Sequence, residues 1–180
     1  MSSIVTNDAF HKSAGGGSGF YIRPLTRPEA RQILSWRYDA PYDFYNPPVT
    51  SAPDIVLDRF VSPENAFHSI RDELNRFVGF CSFGLDGRVL GGIYPEGPLD
   101  LGLGMRPEET SRGKGRAFFQ AIVDFAWGTY QPNSLRLSVA QFNERAIRVY
   151  ESLGFEHTAE FLEVPSQTPY LIMEFNPAHG

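Results

Sequence analysis

Cysteine is almost absent. The 180 residues hold one, Cys81, so neither an internal disulfide nor a cysteine-built metal cluster can form. No pair among the four histidines has the spacing of a zinc-binding helix. Positive charge is also scarce. Sixteen Lys and Arg stand against 21 Asp and Glu, a net charge of −5, which argues against a generic nucleic-acid binder because phosphate neutralisation needs a basic face. No long apolar run is present, so no membrane-spanning helix is expected. The first ten residues lack the basic and apolar regions of a secretory leader. These absences lead to the expectation of a soluble, cytoplasmic protein. What remains is ordinary for a folded chain: 42% apolar and 21% charged residues, with aromatics high at 14%, enough for a real core. The length suits one compact domain or at most two small ones.

Residues 15–19 read Gly-Gly-Gly-Ser-Gly, a linker composition. Residues 1–19 are therefore expected to form a flexible arm, and 20–177 the folded domain. A short strand over 20–23 is stopped by Pro24. Thr26 can then cap a helix with Pro28 and Glu29 in its first turn, and Ala30, Ile33, Leu34 and Tyr38 follow at helical spacing. Three prolines and three aromatics make 40–48 a loop, and 55–61 reads as a short helix. Strands over 66–71 and 76–83 flank a hairpin turn at 72–75. Another strand over 99–105 is stopped by Pro107. A helix over 113–130 carries Phe118, Ala121, Ile122 and Phe125 on one face. A strand at 135–140 precedes a helix at 143–153, which Gly154 ends. Strands at 155–164 and 170–175 close the chain. This order predicts an α/β fold on a mixed sheet, antiparallel first and parallel in the middle.

The chemistry concentrates after the strand at 99–105. The run Thr110-Ser-Arg-Gly-Lys-Gly-Arg-Ala117 opens a helix. It is not a Walker loop, because Gly115 rather than Ser or Thr follows Lys114. Nor does Gly102 begin a dinucleotide fingerprint, since the third glycine position holds Pro107. Two glycines in a helix's first turn cost about 1 kcal/mol each against Ala. They are useful where backbone must come close to a ligand. A helix start offers unpaired N–H groups and positive dipole, which suits phosphate, and Arg112, Lys114 and Arg116 add charge. A solvated basic helix start is the alternative. Downstream, Asn143 sits at an N-cap position, and Tyr150 lies two turns on along nearly the same face, with small Ala146 between.

Together these segments resemble the GNAT superfamily of acyl-CoA N-acyltransferases, in a bacterial-type form. The strand ending Met105-Arg-Pro107, the loop Thr110 to Gly115 and Arg116-Ala117 look like its pyrophosphate-binding motif. Asn143 to Ile147, Tyr150 and Gly154-Phe155 look like its second coenzyme motif. The resemblance covers about residues 20–175. The family usually writes Gln or Arg first, then two free residues, Gly, one free residue, and Gly or Ala. Thr110 holds that first position here; a frame from Arg112 to Ala117 also fits, at the cost of two extra loop residues.

The resemblance implies one GNAT-like domain, its mixed central sheet flanked by helices with splayed middle parallel strands. It implies acetyl transfer from acetyl-CoA to a primary amine, on a small molecule or a peptide N-terminus, by direct attack in a ternary complex. No metal is implied. Leu103, Met105, Thr110, Ser111, Arg112, Gly113, Lys114, Gly115, Arg116, Ala117, Asn143, Ala146 and Tyr150 would bind the coenzyme, with backbone near Met105 polarising the thioester. Tyr150 would protonate the leaving thiolate; the alternative is a core aromatic. Strand alternation puts Asp100 on the face of Gly102 and Gly104, a face left open for ligand, which makes it the candidate base. Asp39, Asp43 and Glu73 could equally attract a cation. In the aromatic stretch 36–45, Tyr42, Phe44 and Tyr45 would wall the acceptor site; a satellite hydrophobic cluster is the alternative. Cys81 and His68 read as structural. The expected partner is an amine acceptor, with no nucleic acid or membrane, on a monomer or homodimer. A non-catalytic acyl-CoA-binding module is the competing function.

Overall fold

Seven strands and four α-helices alternate along residues 19–177, the part of the chain that the computed structural model describes. The expected N-terminal arm, except Gly19, lies outside these residues. In chain order the elements are β1 (Phe20–Pro24), α1 (Arg27–Leu34), α2 (Pro53–Val61), β2 (His68–Asp72), β3 (Phe77–Phe83) and β4 (Leu99–Met105). Then come α3 (Gly115–Tyr130), β5 (Leu135–Ala140), α4 (Glu144–Glu151), β6 (Glu156–Leu162) and β7 (Pro169–Phe175). The sheet order is β1-β2-β3-β4-β5-β7-β6. The β4–β5 pair is parallel and every other neighbour pair is antiparallel, the mixed arrangement expected.

Local signals account for most element ends. Thr26 and Glu29 form a capping box: the Thr26 hydroxyl and backbone N–H both donate to Glu29 Oε2, at 2.7 and 2.9 Å. Glu29 is itself buried and pairs with Arg23 and Arg71, so the start of α1 is tied to β1 and β2. Gly154 takes φ +86 after α4. Two boundary differences bear on the site. α3 starts at Gly115 rather than Gly113, because Gly113 adopts φ +74, outside any right-handed helix. α1 stops at Leu34, and Tyr38 lies beyond it, its N–H taken at 2.6 Å by the side-chain oxygen of Asn46.

The sheet is covered on both faces. Phe118, Phe119, Ile122 and Ala126 of α3 are buried in the main core, with Ile70, Cys81 and Leu101 from the strands. His68 is half-buried there, its ring 4.8 Å from that of Phe125, and full burial pushes the Cys81 thiol pKa up; both are structural, as expected. The second core joins Leu25, Ala30, Ile33, Trp36, Leu57 and Phe77 beneath α1 and α2. Trp36 therefore belongs to a satellite cluster.

Gly102 and Gly104 line the cavity that opens beyond Asp100, but side chains of β3 stand close over both. A Cβ on Gly104 would stand 2.4 Å from the ring of its cross-strand partner Phe80, and one on Gly102 would stand 2.7 Å from Ser82 Oγ. The glycines make room for these side chains of β3, which line the same cavity. Asp100, two residues earlier, is also enclosed. It is 2% exposed and faces Arg136, its register partner on β5, which is 1% exposed. Arg136 donates to both Asp100 oxygens, at 2.5 and 3.0 Å, and Arg88 adds a third bond at 2.7 Å. Arg136 also donates to the Pro95 carbonyl at 2.9 Å. The base role expected for Asp100 is thus corrected: its carboxylate is a doubly paired structural anion between two strands.

Removing one member of such a pair leaves the other charge uncompensated in the interior, at a cost of about 3–5 kcal/mol. Asp100→Ala should lower unfolding free energy by about that amount. Urea denaturation of parent and variant checks it; a loss under about 1 kcal/mol, the worth of an exposed pair, would show the pair to be solvated.

Candidate functional site

β4 and β5 are joined at two register pairs only, Leu99 with Leu135 and Asp100 with Arg136. Beyond Asp100 the strands part. The neighbouring ladders fix what faces the gap. On the β3 side, Gly84 donates to the Asp100 carbonyl and Arg106 to that of Val78, both at 2.8 Å. Antiparallel alternation then points the N–H and C=O groups of Leu101, Leu103 and Met105 away from β3 and into the gap. On the β7 side, Gln141 donates to the Pro169 carbonyl at 2.9 Å, and the same alternation turns the backbones of Ser138 and Ala140 toward β4. Apart from the Met105 carbonyl, which accepts from the Tyr38 hydroxyl, and the Ala140 carbonyl, which accepts from the Asn143 N–H, these peptide groups have no strand partner, and the gap is a place where an extended amide chain can pair as a strand does.

A cavity of ≈ 730 Å³ occupies this gap and continues under α1 and α2. Leu103, Met105, Thr110, Ser111, Gly113 and Gly115 line it from β4 and the loop before α3, and Asn143, Ala146 and Tyr150 from α4. Residues from three separate stretches of the sequence thus meet at one site. The loop is built for close approach. Ser111 and Gly113 take φ +60 and +74, and a Cβ on Gly113 would meet nothing within 4 Å. Gly113 is favoured by backbone geometry, not by packing. The first N–H groups of α3 open beside it, and Arg112, Lys114 and Arg116 stand exposed around this helix start without lining the cavity. Ala117 is exposed on the same turn and also lies off the cavity.

Asn143 caps α4, its side chain accepting from the Ala146 N–H at 3.4 Å. Arg145 follows, donating to Ser111 Oγ at 3.1 Å and standing 3.6 Å over the Tyr42 ring. The loop, α4 and the aromatic stretch are so locked to one another. Tyr150 is 8% exposed, its ring 4.6 Å from that of Phe119. Burial pushes its pKa up, and its hydroxyl has no hydrogen-bond partner among the described residues. The group stays a neutral donor through the ordinary pH range.

Of the aromatic stretch, Tyr42 and Tyr45 line the cavity, within a short 3₁₀ turn. Phe44 does not; it packs edge-on against Tyr45 and Phe142 at 5.4 and 5.7 Å, supporting the wall from behind. Two hydroxyl groups close the ends of the gap, one from Tyr38, which sequence reasoning left out of the site, and one from Tyr45, which it placed on the acceptor wall. Tyr38 donates to the carbonyl of Met105 at 2.7 Å, closing the end of β4. Tyr45, whose hydroxyl accepts from Asn143 Nδ2 at 3.3 Å, closes the end of β5. Tyr38 was assigned to the end of a helix by its spacing, and only the Asn46 contact eight residues on reveals the turn. Asp86, in a short turn after β3, is the only carboxylate among the described lining residues, and Arg59 holds it in an ion pair. No local motif marks it.

The acetyltransferase (GNAT) family model matches residues 28–155. No curated protein matches the sequence. Among solved structures, the Vibrio cholerae spermidine N-acetyltransferase in complex with CoA and spermine is 18% identical at a TM-score of 0.70, over 90% of this chain and 98% of that one. A dodecameric structure of the Vibrio cholerae enzyme in an intermediate state is 17% identical at a TM-score of 0.63, over 90% and 96%. A GNAT-family acetyltransferase from Bacillus anthracis is 13% identical at 0.65, over 87% and 94%. At these identities the structural likeness establishes the fold alone.

The buried tyrosines make stability sensitive to alkali. Burial pushes the Tyr38 pKa up to about 12 from an ordinary value of 10.0. The folded state therefore holds this proton more tightly than the unfolded state, a contribution complete below pH 10 and lost as pH rises through about 12. Tyr150 and Tyr170, also raised by burial, act in the same direction. Tm should fall above about pH 10, and Tyr38→Phe should flatten part of that fall, as thermal denaturation from pH 8 to 11 will read.

Proposed function

Because the chain belongs to the acetyltransferase (GNAT) family and is an acyl-CoA N-acyltransferase, we propose that it moves the acetyl group of acetyl-CoA to a primary amine by direct attack within a ternary complex. The observation that carries this reading is the gap between β4 and β5, with its inward peptide groups, the Gly113 loop at its mouth and the Tyr150 hydroxyl inside. The presence of CoA and spermine in the Vibrio cholerae neighbour supports coenzyme A as carrier and an amine as acceptor.

The pantetheine arm pairs with the backbone of Leu101 and Leu103 on one side and Ser138 on the other. The pyrophosphate sits at the start of α3, where unpaired N–H groups and helix dipole favour negative charge. The Met105 carbonyl is already taken by Tyr38, so the Met105 N–H is the group left to polarise the thioester carbonyl and hold its developing oxyanion. The amine nitrogen bonds to the carbonyl carbon, the C–S bond breaks, and the Tyr150 hydroxyl gives its proton to the departing sulfur. A thiol with a pKa of about 8.5 is a moderate leaving group, so this donor is useful without being indispensable.

Two substitutions test the reading. Gly113→Ala puts a Cβ on the open side of the loop at a left-handed residue; fold stability should fall by roughly 1–2 kcal/mol, and acetyl-CoA affinity should fall about tenfold by calorimetry because the Cβ stands where the backbone meets the phosphates. Equal affinity in parent and variant would move the phosphate site away from this loop. Tyr150→Phe keeps the ring packing against Phe119 and removes the proton donor. Single-turnover transfer at saturating acetyl-CoA should slow by roughly 10²-fold, the lower end for a general acid, with affinity retained. An unchanged rate would return Tyr150 to the core. In the parent, no alkaline loss of rate from Tyr150 ionisation should appear up to pH 10, given the direction of its shift.

A further inference from the structure

The part of the cavity beyond the gap carries almost no charge. It is walled by Leu34 and Trp36 near α1, Val56 and Phe60 of α2, and Phe67 and Phe80 on or beside the sheet. Two charged side chains line the whole cavity among the described residues, Asp86 and Arg145. Both are already engaged. Arg59 binds one Asp86 oxygen through two of its nitrogens, and Arg145 lies on the Tyr42 ring and on Ser111. A polyamine entering here would bring several ammonium groups into an aromatic chamber whose one carboxylate is neutralised and whose other charge is positive. Burying unpaired cations costs more than this wall returns. A single amine on an apolar or aromatic body fits the same wall by burying its carbon surface.

Resting on the acetyl-transfer reading above, we infer that the acceptor is a small primary monoamine with an apolar body, preferentially aromatic, and that it attacks as the free base with no protein carboxylate taking its proton. The second half follows from the same inventory. Asp100 is buried between two arginines, and Asp86, the one lining carboxylate, is ion-paired with Arg59 through one of its oxygens, so among the described residues neither carboxylate is free of a cationic partner. The ammonium proton is then lost before binding. When the C–N bond forms, the nitrogen's second proton is released as the C–S bond breaks and Tyr150 protonates the sulfur. Release of that proton to solvent allows Tyr150 to be reprotonated, so each turnover yields one acetamide, one thiol and no net change in the enzyme.

The test measures thiol release at saturating acetyl-CoA with benzylamine, phenethylamine, tryptamine, spermidine and an unstructured peptide bearing a free N-terminus. Acetyl-CoA binding is measured on the same sample by calorimetry. The best aromatic monoamine should exceed both spermidine and the peptide in kcat/KM by at least about tenfold, one factor of ten being 1.4 kcal/mol. Preference for spermidine or the peptide, or no transfer to any aromatic amine by protein that binds acetyl-CoA, would overturn the acceptor class and leave the acetyl-transfer reading standing. Failure to bind acetyl-CoA would overturn both. For proton transfer, the pH midpoint of kcat/KM should move with each acceptor's own amine pKa; one midpoint common to all acceptors would reveal a protein base. Val56→Asp, which adds a carboxylate to the partly exposed wall of α2, should shift the phenethylamine-to-spermidine ratio about tenfold toward spermidine. An unmoved ratio in a folded variant would place the acceptor outside this chamber.

Discussion

Everything at the site depends on how briefly β4 and β5 stay together. Two register pairs join them, and the second is the buried pairing of Asp100 with Arg136. A charge pair at that position resists both separation and sliding, because either movement would leave an arginine without its counter-charge in the interior. Just beyond it the ladder ends, and the backbones of Leu101, Leu103 and Met105 turn to an open gap. The ion pair is thus the fixed end from which the two strands diverge. Arg88 and the Pro95 carbonyl, both from the connection between β3 and β4, complete the bonds of that pair.

Much of this was legible in the sequence where the signal is local. The Thr26–Glu29 box, the glycine at 154 and the cap at Asn143 each require a residue type at one backbone position, so the element order could be read along the chain. The Gly113 loop was legible as a place of close backbone approach, but Gly113 was read inside the helix, because a left-handed backbone angle leaves no mark on the sequence beyond the glycine itself. Asp100 was misread because alternation tells which side chains share a face but not what covers that face. Phe80 fills the space at Gly104 and Ser82 fills that at Gly102, and both lie on another strand, about twenty residues away. Tyr38 was misread as the end of α1 for a similar reason: its spacing is helical, but Asn46 takes its N–H and turns the chain.

The aromatic stretch after α1 serves two surfaces at once, which is why neither sequence alternative describes it alone. Trp36 is buried with Leu25, Ile33 and Leu57, whereas Tyr42 and Tyr45 line the cavity and Tyr38 bonds β4. Ten residues, 36–45, thus connect the core beneath the helices to the ends of both diverging strands. The wall of the cavity takes its position from the hydrophobic core, and the hydroxyl groups it presents are fixed by backbone partners. Tyr38 packs against that core and bonds the Met105 carbonyl, so a packing change under α1 is felt at the end of β4.

A sheet that opens in its middle has four edges where a closed one has two. The outer pair, β1 and β6, resembles the border of any open sheet. The inner pair presents unsatisfied peptide groups of the kind that recruit strands from other chains and begin aggregation. Here the inner edges are sunk between α3 on one side and α1 and α2 on the other, and Tyr38 and Tyr45 stand across their open ends. A foreign strand would have to bring bulky side chains past these aromatics to reach the peptide groups. A slender chain of amides without side chains meets no such obstacle.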